Sequence, residues 1–300
     1  IPADYAQKAI TAETDLSTVL SGASGKAALV FAANADGYTF SDVMVVPEAV
    51  TELLLIGDTE EQVKVNLKQI QYAGLQKIAL NNLDITGDNS TALLTNSETA
   101  QLAVDAVIEL KKCNFTSMKT ICDWPSGDAN AQNLIAAMII DDCIFANMQN
   151  VFNDYVSKVI TITNSTLYNM TERAIYMKGT SAVILTVENC TLVDLGKTPF
   201  ESRATNGNLY YKNNISACFV TSSPNLAYKM NVKEFSFSCV SLFSYQRSFF
   251  ALPFVSNSFA IISCCFLLVK KFFQLFDFQN VISNGVFCCR ISNSLLIISL

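Results

Sequence analysis

From Lys77 onward the hydrophobic and polar positions repeat one short phrase. It reads KIALNNLDITG (77–87), VIELKKCNFTSM (107–118), MIIDDCIFANM (138–148), VITITNSTLYNM (159–170) and ILTVENCTLVDL (184–195), with a weaker copy, NLYYKNNISAC, at 208–218. Each copy runs apolar-x-apolar, two polar residues, a small residue, any residue, and a large apolar one. The apolar pairs are Ile78/Leu80, Ile108/Leu110, Ile160/Ile162 and Leu185/Val187. Apolar residues two apart with polar partners between them predict short strands with one buried face. The small column is Leu83, Cys113, Cys143, Ser165, Cys190 and Asn214, so the copies lie 30, 30, 22, 25 and 24 residues apart. The large column is Ile85, Phe115, Phe145, Leu167 and Leu192. A unit of that size cannot bury its apolar face alone, whereas stacked copies can. The pattern therefore predicts an all-β right-handed parallel β-helix over 25–218. A leucine-rich repeat would need a tighter period and a leucine-dominated phrase.

The polar column before the small residue is Asn82, Lys112, Asp142, Asn164, Asn189 and Asn213. Asparagine tolerates the left-handed backbone of a sharp bend between strands, which places a corner at this column. The end of such a stack needs a cap. Thr14 or Asp15 can N-cap a short helix whose Leu16, Val19 and Leu20 share a face, and Gly22 can end it. Residues 1–24 are accordingly expected to be an N-terminal segment with a capping helix.

Composition changes the picture mainly by exclusion. The chain of 300 residues is 51% hydrophobic and 15% charged, too apolar to be disordered. It has no histidine, which removes His-based triads and most zinc sites. A net charge of −6 is no footprint for nucleic acid. The average also hides a break. Residues 1–218 hold 24 acids and 14 bases, a net of 14 − 24 = −10, whereas 219–300 hold 2 acids and 6 bases, a net of +4. That tail carries 14 of the 20 Phe and one Gly. Three readings compete for it. The uncharged run Ser248 to Val269 is long enough for a membrane span, although Pro253 and Asn257 interrupt it. A true continuation of the fold should show the alternation and turn residues found upstream. Phe, Ser, Leu, Ile and Cys dominate thymine-rich codons, so an out-of-frame or otherwise non-native tail also reads this way, and that is the expectation adopted here. On that reading the coil near 208–218 is left bare and the natural protein continued with more turns. The start at Ile1, without Met or a signal peptide, fits a processed or truncated fragment.

The stretches AETDLSTVLSGASGKAALVFAANADGYTF (12–40), TELLLIGD (51–58) and ICDWPSGDANAQN (121–133), with the recurring NCT-like turns, resemble the pectate-lyase-like β-helix superfamily. More narrowly, they resemble uncharacterised Bacteroidetes surface or secreted proteins of that group. The resemblance covers about residues 5–218. It implies a secreted or cell-surface protein that engages polysaccharide, with a polysaccharide-lyase-like activity or a non-catalytic, structural or adhesive role. Lyases of the superfamily use Ca²⁺ held by carboxylates, with an Arg or Lys removing the proton next to a uronate carboxylate. Neither the lyase nor the hydrolase motif stands here as a clean string. Contact with a membrane is expected only through a lipid anchor or the tail.

Stacking the coils places candidate residues on one flank. Counted from the residue closing each phrase (Met118, Met148, Met170, Leu195), the next strand brings Asp123, Asn153, Asp154, Glu201 and Glu172 together, with Trp124 on the loop 124–131. Arg173, Lys178 and Arg203 follow in the same strands or turns. Asp123, Trp124, Asp154 and Glu201 are the candidate substrate-binding residues, and Lys178, Arg173 and Arg203 the candidate catalytic ones. The alternative is that all are ordinary outward residues of half-buried strands. Asp141 and Asp142 point to opposite faces of a strand, so Asp142 reads as a turn residue. Cys113, Cys143 and Cys190 read as buried small hydrophobes, because parallel side chains in adjacent coils do not converge into disulfides.

Overall fold

The computed structural model describes residues 1–72, 74–96, 106–123, 135–153, 157–177, 183–202, 207–219, 227–228, 230–240, 286–291 and 294–299. Within them the chain winds as a parallel β-solenoid of about seven turns, with three faces around one apolar interior. Face A is built from β1 (Ala6–Ile10), β2 (Gly25–Phe31), β4 (Val50–Gly57), β6 (Lys77–Asn81), β9 (Val107–Lys111), β12 (Ile135–Asp141), β15 (Ser157–Thr163) and β18 (Ile184–Glu188). The start of β21 (Gly207–Phe219) and then β23 (Met230–Val240) continue it. Face B holds the first half of β3 (Tyr38–Val45), whose end turns onto face C, the first half of β5 (Val63–Tyr72), β7 (Leu83–Thr86), β10 (Asn114–Thr116), β13 (Ile144–Met148), β16 (Thr166–Met170) and β19 (Thr191–Leu195). Face C holds the end of β5, then β8 (Ala92–Asn96), β11 (Thr120–Asp123), β14 (Phe152–Asn153), β17 (Ile175–Met177), β20 (Phe200–Ser202) and β22 (Ala227–Tyr228). Every pairing on the three faces is parallel, as expected when each strand meets its equivalent one turn away.

The corner between faces A and B explains the repeated phrase. Asn82, Lys112, Asp142, Asn164, Asn189 and Asn213 all have positive φ, between 50° and 58°. The ladder runs through this bend: Lys112 N–H donates to the Asp141 carbonyl at 3.0 Å, and Asn164 N–H to that of Glu188 at 3.1 Å. The next side chain points inward and donates to the carbonyl two residues back. Cys113 does so to Lys111 at 3.1 Å, Ser165 to Thr163 at 2.6 Å and Cys190 to Glu188 at 3.2 Å. Thiol and hydroxyl thus interchange at this column because each is small and carries one donor. Cys113, Cys143 and Cys190 line up as the repeat predicts: Ile144 N–H donates to the Cys113 carbonyl, Thr166 N–H to that of Cys143, and Ile215 N–H to that of Cys190. All three thiols are buried and free. Two positions on, the column Val65, Ile85, Phe115, Phe145, Leu167 and Leu192 fills the interior in register. The rings of Phe115 and Phe145 stack there at 5.1 Å.

The N-terminal cap differs from the expectation. No helix forms over 14–22; the segment is a series of turns closed by i→i+3 bonds, Thr18 N–H to Asp15 and Ser21 N–H to Thr18. The Asp15 carboxylate takes both the amide and the hydroxyl of Ser17, at 2.8 and 2.7 Å, and the Thr18 hydroxyl at 3.0 Å. Side chains of this type compete with helical bonding, and one or two turns of helix are too few to nucleate. Leu16, Val19 and Leu20 are nonetheless buried beneath the first coil, as their spacing implies.

Parallel pairing continues past Cys218: β23 runs beside β21 as far as Val240, with three shifts of register. Further on, β24 (Val286–Ile291) and β25 (Ser294–Ser299) form a separate antiparallel pair. The run Ser248 to Val269 lies outside the described residues. Among the described residues no helix is long and apolar enough to cross a membrane.

Candidate functional site

Face C carries the candidate site. In β14, β17 and β20 one residue points in and the next points out. The inward set, Cys122, Phe152, Ile175 and Phe200, is buried. One residue on, Asp123, Asn153, Tyr176, Glu201 and Tyr228 stand in register, each opposite the next. Strands of adjacent coils lie about 4.8 Å apart, so this column repeats at roughly that interval along the axis. The sequence analysis placed Asp123, Asn153 and Glu201 on one flank, and the backbone register puts them in one column.

Arg173 is the centre of the charged cluster beside that column. Its Nε donates to Glu201 Oε2 at 2.6 Å and its Nη1 to Glu172 Oε2 at 3.1 Å. Lys197 Nζ donates to Glu172 Oε1 at 2.6 Å, so Glu172 bridges two cations. The guanidinium carbon lies 4.4 Å from the centre of the Tyr176 ring, a cation–π distance. From below, the buried Asn150 accepts the Arg173 backbone N–H at 3.1 Å through Oδ1 and fixes the turn that presents the side chain. Gly196 lets the next coil come close enough for Lys197 to reach Glu172: a Cβ there would stand 2.2 Å from the Thr171 carbonyl oxygen.

Two carboxylates and two cations leave this cluster formally neutral. The Arg173 guanidinium carries donors only, and it spends two of them on Glu201 and Glu172. Glu201 and Glu172 present acceptors for hydroxyl groups, and Tyr176 a half-buried ring. The arrangement can grip a chain rich in hydroxyls and carboxylates.

Asp123 is placed by its β11 backbone alone. Trp124, Asp154, Lys178 and Arg203 lie outside the described residues. Tyr176, Asn150 and Lys197 were missed by sequence reasoning. A signal for Tyr176 existed: the outward column falls ten residues after Cys113 and Cys143 and eleven after Ser165 and Cys190. A second left-handed column, Ser117, Asn147, Asn169 and Asp194, also went unread, five residues after the first. It forms the corner leading towards face C, where Asn169 Nδ2 donates to Asn147 Oδ1.

The fit to Ca²⁺ is poor among the described residues. They contain no group of three or more His, Cys, Asp or Glu side chains able to hold a metal, and Glu172 and Glu201 already bind cationic side chains. Calcium usually takes six to eight oxygen ligands.

Comparison with solved structures finds the same winding elsewhere. A PL6 family alginate lyase, AlyGC, superposes with a TM-score of 0.56 at 11% identity, covering 79% of this chain and 41% of the lyase. The likeness is one of fold, a parallel β-helix. A point mutant of the same lyase matches with a TM-score of 0.53, again at 11% identity over 79% of this chain and 41% of that one. The β-helix described here thus spans less than half the length of the alginate lyases it resembles. No protein-family model matches the chain, and no curated protein does.

Proposed function

We propose that this β-helix is a secreted or cell-surface protein that engages polysaccharide through face C and acts on uronate-containing glycans as a lyase. The observation that supports the reading most is the Arg173–Glu201–Glu172 cluster over Tyr176, set beside an outward column that repeats once per coil. In this reading Arg173 meets the uronate carboxylate and the two glutamates hold sugar hydroxyls. Lys178 or Arg203 removes the proton on the carbon next to that carboxylate. The electron pair forms a carbon–carbon double bond, the glycosidic C–O bond at the following carbon breaks, and the leaving sugar oxygen takes up a proton.

A second reading is favoured by one feature of the site. Arg173 already spends its Nε and Nη1 on glutamates of its own chain, as in a surface built for binding alone. The alternative is therefore a non-catalytic carbohydrate-binding or adhesive solenoid. Incubation with alginate, polygalacturonate and other acidic glycans, with added Ca²⁺ and with chelator, tests both. A rise in the ultraviolet absorbance of unsaturated uronate supports the lyase reading and shows whether the metal takes part. Retardation in glycan-containing gels without that product supports binding alone. The absence of both signals overturns the proposal.

A further inference from the structure

The corner between faces B and C changes length part-way along the solenoid. Its two ends are fixed by inward residues that stand in register from coil to coil. Met148, Met170 and Leu195 mark the end of face B, and Cys122, Phe152, Ile175 and Phe200 lie on face C. From Met118 to Cys122 and from Met148 to Phe152 the step is four residues, whereas from Met170 to Ile175 and from Leu195 to Phe200 it is five. All of these side chains are buried, so a close-packed interior leaves the added residue only the outside of the bend. Glu172, Arg173 and Lys197 all lie in the two enlarged corners.

A one-residue change of length interrupts the backbone ladder where the short corner meets the long one. On one side Thr171 N–H donates to the Met148 carbonyl at 3.0 Å, and Glu172 N–H to that of Gln149 at 3.1 Å. On the other, Val151 and Phe152 N–H both donate to the Ala174 carbonyl, at 2.9 and 3.3 Å. Arg173 lies between them, and its N–H goes to a side chain, Asn150 Oδ1 at 3.1 Å. Asn150 is buried, and a buried N–H deprived of its acceptor costs free energy that the turn can recover only by moving. Between the two long corners the bonds run from backbone to backbone again. Gly196 N–H donates to the Met170 carbonyl at 2.7 Å, Lys197 N–H to that of Glu172 at 2.9 Å, and Ile175 N–H to that of Pro199 at 3.0 Å.

We propose that Asn150 is a positioning residue of the face C site: by accepting the Arg173 N–H across the change of corner length, it holds the guanidinium on Glu201 and Glu172. The bonds it protects are 2.6 and 3.1 Å long, and hydrogen bonds of this type weaken steeply beyond about 3.2 Å, so a shift of the turn by about 1 Å releases them. An amide suits the task because it accepts the N–H without placing a further charge in the interior. The consequence for glycan binding rests on the polysaccharide reading of face C; the aim of Arg173 does not.

Urea unfolding of the full chain tests that aim without any glycan. In the wild-type background Arg173→Met and Glu201→Gln should be non-additive by about fivefold in the unfolding equilibrium constant. With Asn150→Leu, which keeps the volume and removes the acceptor, the factor should fall towards one. With Asn150→Asp, which keeps an oxygen in the same place, it should persist. Asn150→Ala takes the place of Asn150→Leu if that variant does not fold. On gels containing alginate or polygalacturonate, Asn150→Leu should bind about tenfold more weakly than the wild type, and Asn150→Asp should stay closer to it. Full non-additivity in the Asn150→Leu background overturns the proposal, as does undiminished retention of that variant on a gel that retards the wild type. An equal loss of coupling in Asn150→Leu and Asn150→Asp also overturns it, because packing and not the acceptor would then be responsible. Wild-type protein that passes both gels unretarded removes the polysaccharide reading instead, and the unfolding cycle still decides the role of Asn150.

Discussion

Arg173 offers the sharpest test of the candidate site, because one side chain joins two carboxylates from different coils. Arg173→Met keeps the aliphatic stem and removes the guanidinium. Glu201 then loses the 2.6 Å bond from Arg173 Nε, while Glu172 keeps Lys197. The Arg173 and Glu201 side chains are only 19% and 16% exposed, so water replaces the lost partner poorly. A hydrogen bond to a charged group contributes about 1.5–3 kcal/mol, and the contact with the Tyr176 ring about 0.5–1 kcal/mol, for an expected loss of roughly 2–4 kcal/mol. Glu201→Gln retains an acceptor and should cost about 1 kcal/mol. In the double variant the shared bond is counted once, so the two losses should fall short of additivity by about 1 kcal/mol. Urea unfolding of the four proteins, followed by circular dichroism, measures the cycle. Losses that add to within about 0.3 kcal/mol would show that the two side chains do not interact in solution, and the site as described would be wrong.

Other consequences can be checked with the same protein. Lys112 and Asp142 are the two members of the left-handed column that are not asparagine; Lys112 has φ at 50°, and Lys112→Asn should stabilise by about 0.5–1 kcal/mol in urea. A decrease would mean that the bend does not select its residue. Burial raises the Asp84 carboxyl above its ordinary value, against the pull of Lys64. A carboxyl raised on folding favours the fold below its unfolded value and loses that contribution as pH rises through the folded one. Asp84→Asn should therefore stabilise at neutral pH and be neutral in acid, where both forms are uncharged; a pH-independent difference would refute this. Burial also pushes the Cys113 and Cys190 thiols up to about 12. Both should resist alkylation at mildly alkaline pH until the chain is unfolded, and labelling of the native protein, read by mass spectrometry, would contradict their place in the interior.

Much of the fold is written locally. The order apolar-x-apolar, asparagine, small residue, large apolar residue specifies a strand, a left-handed bend and the next strand within about nine residues. Nothing distant is needed to read it, and the alignment of Cys113, Cys143 and Cys190 follows. The cap shows where local reading stops. The spacing of Leu16, Val19 and Leu20 says that they share a buried side, which is true both of a helix and of successive turns. Whether the backbone closes i→i+4 or i→i+3 bonds was settled by the Asp15 carboxylate, which holds the Ser17 amide and the Thr18 hydroxyl.

The site on face C was only half legible. The flank of Asp123, Asn153 and Glu201 could be counted from the phrase, but the partnership of Arg173 with Glu201 spans 28 residues and depends on the length of every intervening turn. The sequence by itself determined that the chain coils, where it bends and which residues face inward, because those choices rest on one residue's dihedral preference and on alternation along a strand. Only the tertiary structure decided which outward charges meet, because one residue more or fewer in a connection changes which outward side chains stand next to each other from coil to coil.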